Sequence, residues 1–209
     1  MAIQPANQEA AVFIVDDDDA VRESLAFLMK SVGLRAESFA SAQAFLDVYN
    51  PNRAGCLVLD IRMPGMSGLE LQEKLKQMGS ILPVIFITGH GDVPMAVKAI
   101  KAGAADFVQK PFRDQELIDR IREVLEEDAQ TRADKLQRNE ILRRMGTLTE
   151  REREVMEQVV DGKANKVVAI DLNVSQRTVE IHRANVMEKM KARSLAQLVR
   201  LVMKARGEI

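Results

Sequence analysis

The sequence predicts an α/β fold, a doubly wound sheet of five parallel strands, followed by a small all-α helix-turn-helix domain, and three features of its 209 residues predict it. From residue 12 to about 126, short apolar runs alternate with segments of helical period, the pattern of a βα unit repeated around a parallel sheet. The last 63 residues, 147–209, carry helical patterns only. Charge divides in the same way: residues 1–125 hold 17 Asp and Glu against 13 Lys and Arg, a balance of −4, whereas 147–209 hold 9 against 12, a balance of +3, and 126–146 hold 5 of each. Of an acidic half and a basic half, only the second suits a polyanion.

The strands are expected at 12–16, 35–39, 56–60, 83–88 and 106–109. After the first, residues 20–32 place Val21, Leu25, Leu28 and Met29 on one helical stripe, which Gly33 closes as a C-cap residue would. Residues 41–49 and 68–77 are the second and third helices, with Ser41 positioned to cap free N–H groups of the first turn. Residues 94–102, with proline in the first turn and Gly103 after the end, form the fourth. Asp114 opens the fifth, turning Leu117, Ile118, Ile121, Val124 and Leu125 inward. Residues 127–146 read as a charged helical linker whose apolar seam breaks at Asp128 and Arg132 and resumes at Leu136, Ile141, Leu142 and Met145. The expected domains are therefore 10–126, this linker, and 147–209.

In the last domain Thr149 and Glu152 have capping-box spacing at the head of a helix with Val155, Met156 and Val159 inward. Residues 165–172 form a second helix, and Asn173-Val174 a tight turn. Ser175 caps a third helix that runs through Met190 with Val179, Val186 and Met190 facing the core, and Ser194 caps a fourth over 195–204. Two helices joined by a short turn, the second rich in Arg, His and Asn on its outer face, make a helix-turn-helix.

Composition excludes several classes. With 46% hydrophobic and 29% charged residues the chain can bury a core and remain soluble. No apolar run approaches the roughly 20 residues that cross a bilayer, and MAIQPANQEA lacks the basic and apolar regions of a signal peptide, so a cytoplasmic location without membrane attachment is expected. The single Cys56 rules out an intrachain disulfide and a cysteine-rich zinc site.

The chemistry lies at the strand ends. Val12-Phe13-Ile14-Val15 ends in Asp16-Asp17, Cys56-Leu57-Val58-Leu59 in Asp60, Val84-Ile85-Phe86-Ile87 in Thr88, and Asp106-Phe107-Val108-Gln109 in Lys110-Pro111. Parallel strands open their C-terminal ends onto one edge, where open α/β folds place their sites. Three carboxylates, a hydroxyl and an ammonium converging there can hold Mg²⁺ through hard oxygen ligands and a phosphoryl group through the lysine charge. Singly, each is an ordinary turn or strand terminus; together, with whole βα units between them, they form a site.

VDDD at 15–18, LDIRMPGMSG at 59–68, ITGHGD at 87–92 and DFVQKPF at 106–112 resemble the receiver domain of bacterial two-component response regulators over about residues 12–126. The resemblance implies a flavodoxin-like sheet, Asp60 as phosphoacceptor, and Mg²⁺ held by Asp16, Asp17, Asp60 and the backbone carbonyl of Arg62. It also implies that Lys110 contacts a phosphoryl oxygen, with its bond to Pro111 cis, and that Thr88 and Phe107 form a coupled switch pair. The physical logic is independent of it: Asp60 is a weak nucleophile attacking a phosphorus that already bears negative charge, so cations must offset the repulsion.

LTEREREV at 148–155, NKVVAIDLNVSQRTVEIHRANVMEKM at 165–190 and SLAQLVRL at 194–201 resemble the LuxR-type helix-turn-helix output domain, and GHGDVPMAVKAIKAGAADF at 89–107 narrows the resemblance to FixJ-type regulators. On the second helix of the motif Arg177, Ile181 and Ala184, one turn apart, suit a major groove, while Thr178, Arg183 and Lys189 there and Lys166 on the first suit phosphates. Glu180 cannot bind phosphate; it either accepts from a cytosine amine or orients a neighbouring arginine.

The function expected is that of a transcriptional regulator rather than an enzyme, with a sensor histidine kinase as phosphodonor. Its expected partners are double-stranded DNA, a second copy on phosphorylation, and RNA polymerase. A Mg²⁺-dependent phosphatase or phosphotransferase with Asp60 as nucleophile, as in haloacid-dehalogenase-like folds, is the main alternative, but those enzymes place a second acid where Arg62 stands, and no substrate-capping insertion is present. A phosphorylation-dependent interaction module without DNA binding is opposed by the basic helix-turn-helix.

Overall fold

The computed structural model describes residues 10–89 and 93–208. The N-terminal stretch 1–9, residues His90, Gly91 and Asp92 of the fourth-strand motif, and the side chains of Val93, Pro94 and Ala96 lie outside that description. The chain divides into two compact units, Met1–Arg132 and Ala133–Ile209.

The first unit runs β1 (Ala11–Val15), α1 (Asp19–Ser31), β2 (Arg35–Phe39), α2 (Ala42–Val48), β3 (Gly55–Asp60), α3 (Gly68–Gln77), β4 (Val84–Thr88), α4 (Val93–Lys101), β5 (Asp106–Gln109) and the start of α5 (Asp114–Met145). The strands are all parallel in the order β2-β1-β3-β4-β5. Strand order reverses between β1 and β3, so the crevice at the sheet's C-terminal edge opens where Asp16 and Asp60 emerge. Both sheet faces are covered, which is why β1, β3 and β4 are continuous apolar runs. Phe13, Leu57, Leu59 and Phe86 meet Phe45, Leu71, Leu75 and Ala99 on one face. Val12, Ile14, Val58 and Ile87 meet Leu25, Met29, Leu117 and Ile121 on the other.

The second unit carries α6 (Glu150–Val160), α7 (Asn165–Asp171), α8 (Gln176–Lys189) and α9 (Leu195–Arg206) around its own core of Val155, Met156, Val168, Val179, Val186, Met190, Leu198 and Val202. Caps fall where short polar side chains stand ahead of apolar stripes. Asp18, Ser41, Ser67, Thr149, Ser175 and Ser194 each accept backbone N–H groups of the following first turn.

The expected linker differs in two respects. It is no separate element: α5 is one helix through residues 127–145. Its apolar residues also do not share a seam. Ile141 is buried in the second core with Met145 beside it, whereas Leu142 is exposed and Leu136 is 68% exposed. Helical period explains the split, since 141 and 145 stand one turn apart on one face while 136 and 142 point elsewhere. Asp128 and Arg132, read as breaks, form an ion pair in which Asp128 is only 4% exposed.

Candidate functional site: an acidic strand edge and a basic reader helix

Asp16 leaves β1 buried, at 3% exposure, its Oδ1 accepting from the Asp18 backbone N–H at 2.9 Å. Asp18 caps α1 by accepting from Ala20 and Val21 N–H. Asp60 ends β3 with its Oδ2 accepting from the Arg62 N–H at 2.7 Å. Lys110 follows β5, and its Nζ donates to Asp16 Oδ2 at 3.0 Å and to Asp60 Oδ1 at 3.1 Å. Its backbone N–H donates to the Thr88 carbonyl at 2.7 Å, and the Lys110-Pro111 bond is cis. Thr88 ends β4 buried, its hydroxyl donating to the Gly89 carbonyl at 3.3 Å. Phe107, in register with Phe86, is 37% exposed on β5.

Electrostatics follow from this geometry. Burial pushes the Asp60 carboxyl above its ordinary value, more than the Lys110 hydrogen bond and charge hold it down. Burial acts to lower the Lys110 ammonium, but hydrogen bonds to Asp16 and Asp60 outweigh that and leave it raised. The edge thus holds one firmly charged cation between two carboxylates. Among the described residues no three His, Cys, Asp or Glu side chains come together as a metal cluster, and Asp17, next to Asp16 in the chain, is exposed. The donor set of Asp16 and Asp60 oxygens is nonetheless the hard-oxygen chemistry that Mg²⁺ takes.

On α8, Arg177, Glu180, Ile181 and Ala184 are exposed on one face, and Arg177 lies 3.6 Å from Glu180. Lys166 is exposed on α7. The other phosphate candidates have internal partners. Thr178 shares a hydrogen bond with Ser175 at 2.8 Å, and Arg183 donates to Asn165 Oδ1 at 2.7 Å. Lys189 donates to Glu152 Oε2 at 2.6 Å and to the Thr147 carbonyl at 3.3 Å.

The family model for the response regulator receiver domain matches residues 12–122, and that for bacterial regulatory proteins of the luxR family matches 146–202. The chain belongs to the two-component response regulators with a LuxR-type output domain. Over 194 residues it is 53% identical to the transcriptional regulatory protein FixJ of Azorhizobium caulinodans, covering 93% of this chain and 92% of that relative. Among solved structures it resembles the response regulator StyR, at 45% identity and TM-score 0.86, covering 94% of this chain and 99% of that one. Full-length FixJ from B. japonicum matches at 43% identity and TM-score 0.60, over 97% and 100% of the two chains.

Sequence reasoning missed three parts of this regulator's site. Arg22, one turn into α1, donates from Nη1 to the Asp16 carbonyl at 2.7 Å and pairs with Asp19, holding the acidic loop in place. Its i,i+3 spacing from Asp19 was a visible signal. Gly68 lets α3 start against the end of β3, because any Cβ there would stand 2.2 Å from the Asp60 carbonyl oxygen. Glu152 does more than close its capping box: buried, it draws in Lys189 from 37 residues away. No spacing rule could have shown that.

Proposed function

We propose that this response regulator accepts a phosphoryl group on Asp60 from a sensor histidine kinase and, so modified, dimerises and binds specific DNA through α8 to regulate transcription in the cytoplasm. The observation that carries it is the Lys110 ammonium within hydrogen-bonding distance of both Asp16 and Asp60. An Asp60 oxygen attacks phosphorus, the donor's P–N bond breaks, and the leaving imidazole keeps the proton it carried. Lys110 then exchanges its carboxylate contact for a phosphoryl oxygen and neutralises part of the added charge. Asp16, Asp17, Asp60 and the Arg62 carbonyl would hold Mg²⁺, which offsets repulsion between the acids and the incoming phosphate when bound.

The new phosphoryl oxygens offer Thr88 a stronger acceptor than the Gly89 carbonyl, and its inward shift leaves room for Phe107 to follow. That reshapes the α4–β5 face, where Val97, Ile100 and Phe107 are exposed, into a surface for a second copy. Paired chains would set two α8 helices about one DNA turn apart, roughly 34 Å. Arg177, Ile181 and Ala184 face the groove, Glu180 steadies Arg177 or accepts from a base, and Lys166, Thr178 and Arg183 meet phosphates. Lys189, held by Glu152, serves the fold before it serves DNA. RNA polymerase is the further partner of the DNA-bound regulator. The chain turns over no separate substrate and is not an enzyme in that sense. No helix among the described residues is long and apolar enough to cross a membrane.

Acetyl phosphate with Mg²⁺ tests the core of this function. Intact-protein mass should rise by one phosphoryl group in the wild type and not in Asp60→Ala; equal uptake by the variant removes Asp60 from the role.

A further inference from the structure

Strand β3 carries the phosphoacceptor at one end, and the other end holds a second polar assembly. Gly55, its first residue, donates its backbone N–H to Asp128 Oδ2 at 3.1 Å, across 73 positions of sequence. Arg132, one turn on, donates from Nε to the same oxygen at 2.7 Å and from Nη1 to the Pro51 carbonyl at 3.3 Å. Gly55 cannot be replaced there: its φ is +147°, and a Cβ would stand 2.0 Å from the Ala11 carbonyl oxygen. Close approach of β1 and β3 therefore depends on the same residue whose N–H the carboxylate receives.

The stripe that seats α5 on the sheet runs Leu117, Ile121, Val124 and then, at the same helical spacing, Asp128 and Arg132. Two further apolar residues would have continued it. The ion pair there is incompletely satisfied, since buried Asp128 Oδ1 and Arg132 Nη2 have no hydrogen-bond partner among the described residues. A buried pair in that condition contributes little net stability over an apolar replacement, and its best-attested use is to fix register or to switch. It also stands at the division between the two compact units, which falls immediately after Arg132.

We propose that Gly55, Asp128 and Arg132 form a latch that fixes where α5 leaves the receiver, and that phosphorylation is conveyed to the DNA-binding unit only while the latch is closed. The contact suits that task because it is directional: the carboxylate either receives both Gly55 and Arg132 or loses its register, whereas an apolar stripe slides. The inference rests on the phosphorylation-dependent DNA binding proposed above.

The test uses the full chain as wild type, as Asp128→Leu/Arg132→Leu, which restores an apolar stripe and guards against unfolding, and as Arg132→Lys. Phosphoryl uptake from acetyl phosphate is read by intact mass. DNA affinity with and without phosphorylation is read by fluorescence anisotropy on a duplex enriched from a random pool by the phosphorylated wild type. The wild type should gain affinity on phosphorylation by a factor in the range of about 5 to 150, the usual span of such coupling. The double variant should take up phosphate as the wild type does while its gain falls toward one, and Arg132→Lys should lie between. A double variant with the wild-type gain overturns the latch and leaves the proposed function intact. A wild type that takes up no phosphoryl group, or gains no affinity, overturns the proposed function and the coupling role with it.

Discussion

The strand edge of the receiver and the helical output unit each build an ion pair between a lysine and a largely buried acid, to opposite effect. Glu152 receives Lys189 and the Thr149 N–H, and these hold its carboxyl down to about 2. Asp60 receives Lys110 and the Arg62 N–H, yet burial still leaves its carboxyl raised. At Asp60 burial is the largest cause, and the Asp16 charge adds to it; at Glu152 the Lys189 hydrogen bond is the largest. Lys189 serves one carboxylate, whereas Lys110 is divided between Asp60 and Asp16. A carboxylate held down by its partners holds a fold together, and one left raised despite them fits the phosphoryl-accepting role proposed for Asp60.

The comparison breaks first at Lys110. Lys110→Ala should slow phosphoryl uptake at Asp60 by about 10²–10³-fold, the usual effect of removing one charge-stabilising donor, while the thermal transition of the output unit stays in place. Timed intact-mass measurement decides it; undiminished uptake would make the lysine structural, like Lys189.

At the other pair the expected loss is stability rather than chemistry. Lys189→Ala leaves the Glu152 carboxylate short of a partner and should cost about 2 kcal/mol in urea unfolding, with phosphoryl uptake unchanged. The folded carboxyl lies below its ordinary 4.5, so its contribution is full above pH 4.5 and disappears as pH falls toward about 2. The gap between wild type and variant should therefore close across that acid window; a gap constant with pH would assign the loss to packing.

Smaller effects sharpen the contrast. Arg183→Ala should reduce the slope of log affinity against log salt by about 1 without changing sequence preference, as anisotropy over a salt series would show. A change of preference instead would make Arg183 a base reader. At Asp60 a raised carboxyl means that stability is greatest below its unfolded value of 3.8 and declines as pH rises through the folded value. Asp60→Asn should lack that decline, so its melting temperature should overtake the wild type's toward neutral pH. Parallel curves would remove the claim that burial strains this carboxylate.

Much of the site was legible because strand ends are readable in a parallel sheet. Asp16, Asp60, Thr88 and Lys110 each close an apolar run, and the run lengths and intervening helices suffice to bring them to one edge. The output unit was legible for a local reason: Thr149, Ser175 and Ser194 announce their helices, and Val179, Val186 and Met190 repeat at helical spacing and are buried. Gly68 and the bond from Arg22 to Asp16 escaped notice because each acts on a backbone carbonyl, which has no signature in side-chain pattern; only the spacing of Arg22 from Asp19 was visible.

Local propensity and apolar period, both written residue by residue, thus determined the elements, the sheet class, the domain order and which side chains share the C-terminal edge of the sheet. Only the tertiary structure decided how charges are partnered. Lys189 reads as a phosphate binder by position and is taken up by Glu152, Arg183 is held by Asn165, and Asp128 reads as the end of an apolar seam and closes onto Gly55. The reason is range: helix and strand periods are fixed within a few residues, whereas the partner of a buried charge is whatever group the folded chain brings within about 3 Å of it.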